Sequence, residues 1–226
     1  MTSPARRLVF LCSGGGGNLR AVRRAIAAGI LPRWELAGVV ADREGGALEA
    51  SRAAGVEALR VSYERGRGRE LLDAVSALAP DVVVSAFDRI LDDDVVDALE
   101  GRFVNLHYSL LPAYAGSTGA TPVRQALDAG CRILGATVHR LTRAVDAGPI
   151  LAQGAVGVRD GEDFEATMNR VFRCGAVTLA GVLERWGEAP PPAFGWVWRS
   201  DVEALFSPAP RAADGAFGQA FWRSVA

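Results

Sequence analysis

The N-terminal part of the chain alternates between two kinds of segment, and that alternation restricts the fold more than any other property. Short apolar, β-rich runs occur at Leu8–Cys12, Trp34–Ala41, Ala58–Val61 and Asp81–Phe87. Between them, Asn18–Ala28, Ala47–Ala54 and Glu70–Leu78 place apolar residues at helical spacing, as at Leu19, Val22 and Ile26. Strands joined through helices run parallel, because each crossover carries the chain back to the starting edge. The order β-α-β-α-β-α-β predicts an α/β, Rossmann-like, mostly parallel twisted sheet with helices on both faces.

The pattern then changes. Asp92–Leu99 reads as a short acidic helix, Arg102–Ser109 as a strand, and Pro122–Ala129 as a helix ending at Gly130. Ile133–Leu141 and Ile150–Val158 are β-rich, and Thr142–Pro149 between them is too short for a crossover helix. An antiparallel pair is therefore expected in the C-terminal part. Asp163–Trp186 has the spacing of one long helix, and Ala189-Pro190-Pro191-Pro192 interrupts it. The remainder is rich in aromatic residues (Phe194, Trp196, Trp198, Phe206, Phe217, Phe221, Trp222), too apolar for a disordered tail. The expected organisation is a catalytic domain over 1–188 and a short extension over 189–226, packed on it or on a partner.

Composition excludes several classes of function. A net charge of -1 over 226 residues gives no bulk attraction to nucleic acid or to an anionic membrane. All 25 basic residues are arginine, so no lysine can serve as Schiff base, general base or phosphate ligand. Cys12, Cys131 and Cys174 are odd in number and lack metal-site spacing, which points to a reducing compartment without disulfides or bound metal. There is neither a secretory leader pattern nor an apolar run of membrane-spanning length. A cytoplasmic protein with a small-molecule partner, as monomer or homodimer, is the expectation.

Candidate chemistry concentrates in Phe103–Pro112. The chain has two histidines, and one of them, His107, stands two positions after Asn105. On a strand these side chains share a face, giving a neutral donor beside a group that titrates near neutrality. Such a pair can hold an oxyanion and move a proton, although a strand end with a satisfied Asn and a core His would look the same. The glycine loop Ser13–Asn18 follows the first strand and opens a helix, a natural anion site. Gly14, Gly16 and Asp42 fit part of a dinucleotide fingerprint, but Leu19 stands where its last glycine belongs. Asp146, in Val145–Pro149, suits a turn and would serve as proton acceptor if it met His107.

Taken in order, Ser13–Leu19, Phe87–Leu91, Asn105–Pro112, and Val138-His139 with Asp146-Ala147-Gly148-Pro149 are similar to four motifs of the folate-dependent formyltransferase family. The resemblance runs from about Leu8 to Trp186 and is strongest to the branch acting on glycinamide ribonucleotide. It implies catalytic roles for Asn105, His107 and Asp146, with 10-formyltetrahydrofolate as formyl donor, an amine as acceptor and no metal. Asp146 would hold His107 in its charged form. Folate would be gripped through Arg89, Ile90, Leu91, Arg140, Leu141 and Val145, largely by backbone. The acceptor would meet Gly15, Gly16, Gly17, Asn18, Arg65 and Tyr108.

Departures from the family pattern cluster on the acceptor side. Gly17 replaces a serine and Tyr108 a proline, the segment Gly116–Pro122 is longer, and a ribose-binding glutamate is replaced near Gly175. The aromatic extension matches nothing in the pattern. The resemblance therefore implies a retained folate half and an altered acceptor, a specialised-metabolism amine rather than glycinamide ribonucleotide. The alternatives are glycinamide ribonucleotide itself, water as in formyltetrahydrofolate deformylase, or an inactive folate-binding module. Against the deformylase stands the start of the chain directly at its first strand, where those enzymes carry a regulatory domain.

Overall fold

The computed structural model describes residues 4–188 and 195–225. The proline break at 189–192 and Phe194 lie outside the described residues. The chain divides into two compact units, one of residues up to Asn105 with Arg140–Val145, the other of Leu106–His139 with Asp146 onward.

In the first unit, β1 (Arg6–Cys12), β2 (Trp34–Ala41), β3 (Ala58–Arg60), β4 (Val82–Ala86) and β5 (Phe103–His107, which leaves the unit after Asn105) lie in the order β3-β2-β1-β4-β5. All pair in parallel, as the alternation predicts. The helices α1 (Gly17–Ala27), α2 (Gly46–Ala53), α3 (Arg69–Ala77) and α4 (Asp93–Ala98) supply the crossovers. β1 has a strand on each side, so Leu8–Leu11 are fully buried and read as an unbroken apolar run. Val9, Leu11, Val40 and Val83 pack with Leu71 and Val75 of α3, Val95 of α4 and Leu99 just after it. Each such side chain withdrawn from water is worth about 1.5–3 kcal/mol. The register sets Cys12 level with both Ala41 and Ala86, so the loops after β1, β2 and β4 leave from one edge of the sheet. That carboxyl edge is where open α/β sheets bind ligands.

The second unit is built on β6 (Ile133–Arg140), β7 (Ile150–Gly157), β8 (Val197–Arg199) and β9 (Ala204–Ser207), in the order β6-β7-β9-β8 with every pairing antiparallel. Two helices belong here as well, α5 (Thr121–Asp128) and the long α6 (Phe164–Glu184). Asp163 caps α6, its carboxylate accepting the Ala166 N–H at 2.8 Å. The helix lies tight on β7 because Gly154 lacks a side chain: a Cβ there would stand 2.5 Å from Cys174 Sγ. Residues 174–183 of α6 are buried all round, which one sheet face alone cannot achieve. Part of the remaining cover comes from the extension. Trp222 of α7 (Gln219–Arg223) meets Phe172 edge-on, Pro210 lies against Gly181, and Arg185 donates to the Ala209 carbonyl.

The extension thus adds β8, β9 and α7, none of which periodicity foretold. Strands of three and four residues are too short to display a period. The strand expected over Arg102–Ser109 also stops earlier, at His107. Beyond it the backbone turns to bond side chains. Thr137 of β6 accepts from Leu111 N–H at 3.0 Å and donates to the Ser109 carbonyl at 2.7 Å. Gln153 of β7 donates to Thr137 and to the Leu111 carbonyl.

Candidate active site

Asn105 and His107 both lie on β5, two residues apart and hence on one face of the strand. His107 is only 5% exposed. Its ring is held from both sides, with Nδ1 3.4 Å from Asp146 Oδ2 and Nε2 3.2 Å from the Tyr114 carbonyl oxygen. Both partners are acceptors, so an imidazolium could donate to both, whereas neutral imidazole can donate to only one. Burial acts in the opposite sense and is the larger effect. It pulls His107 below the ordinary 6.5, Asp146 and the Tyr114 carbonyl offset it only in part, and His139 lowers it slightly further. The expectation that Asp146 keeps His107 charged is corrected accordingly: desolvation outweighs the carboxylate, and the resting imidazole is neutral at neutral pH.

Asp146 follows β6 with φ 52°, a left-handed conformation that Asp accepts more readily than most residues. Its carboxylate is a junction. Oδ2 faces His107 and accepts the Gly116 N–H at 2.8 Å, while Oδ1 lies 3.5 Å from Nε2 of the buried His139. Burial alone would raise its pKa. The bonds from His139 and Gly116, with the charge of the histidines, more than offset that, so Asp146 lies below the usual 3.8. It is therefore ionised throughout the neutral range, an acceptor set beside a neutral imidazole.

Two contributors escaped the sequence reading. Tyr114 and Gly116 act through a carbonyl and an N–H, which leave no side-chain signature. The visible signal was the glycine-rich stretch itself, since Tyr114 and Gly116 both have positive φ, 57° and 82°. His139, inside the β-rich run Ile133–Leu141, is the third member of the Asp146 cluster. Among the described residues, no group of three or more His, Cys, Asp or Glu side chains is set to hold a metal ion.

Tyr108, beside His107, is half-buried, and its size is matched by α6. A Cβ on Gly175 would stand 3.0 Å from Tyr108 Cε1, 3.2 Å from Ala136 Cβ and 3.3 Å from Leu106 Cδ1. A buried glycine within a helix costs roughly 1 kcal/mol relative to alanine. Here it makes room for the tyrosine edge.

The other expected site residues belong to the first unit. Gly15 and Gly16 form the turn into α1, which opens with Gly17 and Asn18; Gly16 has φ 73° and packs against Ala47. The turn is tied to the loop after β4 by Ser13 Oγ, which accepts the Asp88 N–H at 3.1 Å. Arg89 directs its guanidinium to Asp42, 3.4 Å away, and Arg43 bridges Asp42 and Asp88. The two arginines close over Asp42, so the acidic end of β2 is not presented as a ribose ligand. Leu91 is buried and Ile90 is exposed. Arg140 reaches the Gly101 carbonyl, and Leu141 N–H bonds the Phe103 carbonyl at 3.0 Å. Val145 is exposed, as is Arg65 on the segment before α3.

Comparison with known proteins places these features in context. Residues 6–183 match the family model described as formyl transferase. The phosphoribosylglycinamide formyltransferase of Mycobacterium tuberculosis (strain CDC 1551 / Oshkosh) is 40% identical over 176 residues, covering 75% of this chain and 79% of that protein. Among solved structures, glycinamide ribonucleotide transformylase 1 from Symbiobacterium toebii superposes with TM-score 0.72 at 32% identity, over 80% of this chain and 87% of that one. The phosphoribosylglycinamide formyltransferase of Coxiella burnetii, solved with CHES, gives TM-score 0.74 at 26% identity over 96% and 98% of the two chains. That last match extends into the aromatic extension, which the sequence pattern had left without a counterpart.

Proposed function

We propose that this chain, which belongs to the formyl transferase family, moves a formyl group from 10-formyltetrahydrofolate to the primary amine of a small acceptor. The observation that carries the reading is the geometry around His107: a buried imidazole with Nδ1 3.4 Å from the Asp146 carboxylate, and Asn105 on the same strand face. When bound, the folate supplies a formyl carbon already activated on N10. The new C–N bond forms as the C–N10 bond breaks, and the proton lost by the amine ends on N10.

Each residue then has a task. The Asn105 amide donates to the carbonyl oxygen as it gains charge, and a missing donor of this kind costs about 2.7–4 kcal/mol of barrier. His107, neutral at rest, is positive only while it carries the amine's proton from Asp146 toward N10, and in that interval its charge stands beside that oxygen. Asp146 accepts the amine's proton, directly or through water, and its bonds to Gly116 and His139 fix its direction. Ile90 and Val145 fit the donor side. They are exposed apolar side chains on the two segments assigned to folate, and a planar heterocycle would cover such groups. No metal is invoked, because alignment and hydrogen bonding suffice for an activated formyl group.

Phosphoribosylglycinamide is the amine in the relatives' names and is the first acceptor to test. The second reading, an amine of specialised metabolism, rests on the Tyr108–Gly175 fit beside His107. A single assay separates them: purified chain, 10-formyltetrahydrofolate and phosphoribosylglycinamide. Turnover at ordinary enzyme rates, about 1 s⁻¹ or above, supports the relatives' acceptor and removes the second reading. Transfer to other primary amines with none to phosphoribosylglycinamide supports the second. Formate release with no amine present would indicate hydrolysis instead.

A further inference from the structure

Tyr63 stands outside the four motifs, yet it connects the segment of Arg65 to that of Arg89, Ile90 and Leu91. It lies just before Arg65 and α3 and is 7% exposed. Its ring meets Phe87, at the end of β4, edge-on with centroids 5.5 Å apart. Its hydroxyl donates to the Ile90 carbonyl at 3.2 Å and accepts the Asp92 N–H at 2.8 Å. One phenol oxygen thereby brackets Ile90–Asp92, the backbone that runs through the folate-assigned residues.

Asp92 returns the connection. Its side chain does not cap α4. Instead Oδ1 accepts the Gly66 N–H at 2.7 Å, and the carboxylate lies so close to Gly68 that a Cβ there would be 2.8 Å from Oδ2. Three hydrogen bonds thus stitch the segment carrying Arg65 to the segment carrying Arg89, Ile90 and Leu91. Burial raises the Tyr63 hydroxyl above its ordinary 10, so it remains a neutral donor over the working pH range. An exposed loop held only by its own backbone would fluctuate, and ordering it would reduce the free energy gained from a ligand.

We infer that Tyr63 is a positioning residue for the folate-facing backbone Arg89–Leu91, holding it in its binding form and linking it to the Arg65 segment. The inference rests on the formyl-transfer reading, which makes that backbone the donor site. Tyr63 acts through Ile90 and Asp92 and touches no reacting atom. Its signature is therefore loss of donor affinity rather than loss of chemistry.

The test is Tyr63→Phe, which keeps the ring against Phe87 and removes only the hydroxyl. Tetrahydrofolate binding is measured by calorimetry well below the melting transition, and KM and kcat for 10-formyltetrahydrofolate are measured with an excess of whichever amine the enzyme accepts. The expected result is a 5- to 10-fold weaker Kd for tetrahydrofolate and a matching rise in KM, with kcat within two-fold of wild type. Asp92→Asn, which keeps an acceptor for Gly66, should bind tetrahydrofolate as wild type does, while Asp92→Ala should weaken it as Tyr63→Phe does. Tetrahydrofolate binding within two-fold of wild type in Tyr63→Phe would overturn the inference while leaving the formyl-transfer reading intact. A wild-type protein that binds no tetrahydrofolate would overturn both.

Discussion

His107 is held by two opposed influences. Acceptors at both ring nitrogens favour the imidazolium, and burial favours the neutral ring. Burial prevails, so proton-detected titration of the imidazoles should place His107 below 6.5, in a chain simple to read because it has two histidines. Asp146→Asn should move it lower still, since the carboxylate is the main upward influence. A His107 titrating above 6.5, or rising in Asp146→Asn, would contradict this account. The linkage follows in sign: a histidine depressed in the folded state stabilises the fold fully above 6.5 and loses that contribution as pH falls through its folded value. Asp146 acts in the same sense lower down, its contribution present above 3.8 and lost as pH falls through its depressed value. Asn105, His107 and Asp146 were legible as residues because their types are rare or chemically pointed. The Tyr114 carbonyl and Gly116 N–H were not, because every residue carries those groups.

At the scale of elements, legibility followed length. β1, β2 and β4 announced themselves as apolar runs because parallel strands buried on both faces need such runs. β8, β9 and α7 did not, since their stability comes from contacts distant in sequence. The pivot of the extension is Arg199–Asp201, an ion pair in which both side chains are 4% exposed. Arg199 also donates to the carbonyls of Ala212 and Ala213, and Asp201 accepts the N–H groups of Gly215 and Phe217. The guanidinium lies over the fully buried Phe217. Arg199→Ala would leave Asp201 buried without its charge partner, a loss of about 3–5 kcal/mol. Denaturant unfolding should register it as a lower midpoint. A change below 1 kcal/mol would mean that the extension is held by its aromatic packing alone.

For the molecule as a whole, the order of strands and helices could be read from the sequence because hydrophobic period and crossover length leave few alternatives. The second unit was only half legible, as its antiparallel strands are partly recruited from the extension. Function was carried by four motifs and is supported by the formyl transferase match. The acceptor was not legible, because Tyr108 and Gly175, where the resemblance implied a departure, report a local shape and not the molecule that fits it. The central claim is that His107 serves the chemistry of formyl transfer rather than the packing of β5. His107→Ala, assayed for formyl transfer from 10-formyltetrahydrofolate alongside calorimetric binding of tetrahydrofolate, tests it most directly. The account predicts a fall in kcat of at least about 100-fold, as for a lost transition-state donor, with tetrahydrofolate affinity within about three-fold of wild type. Turnover equal to wild type in that variant would contradict it.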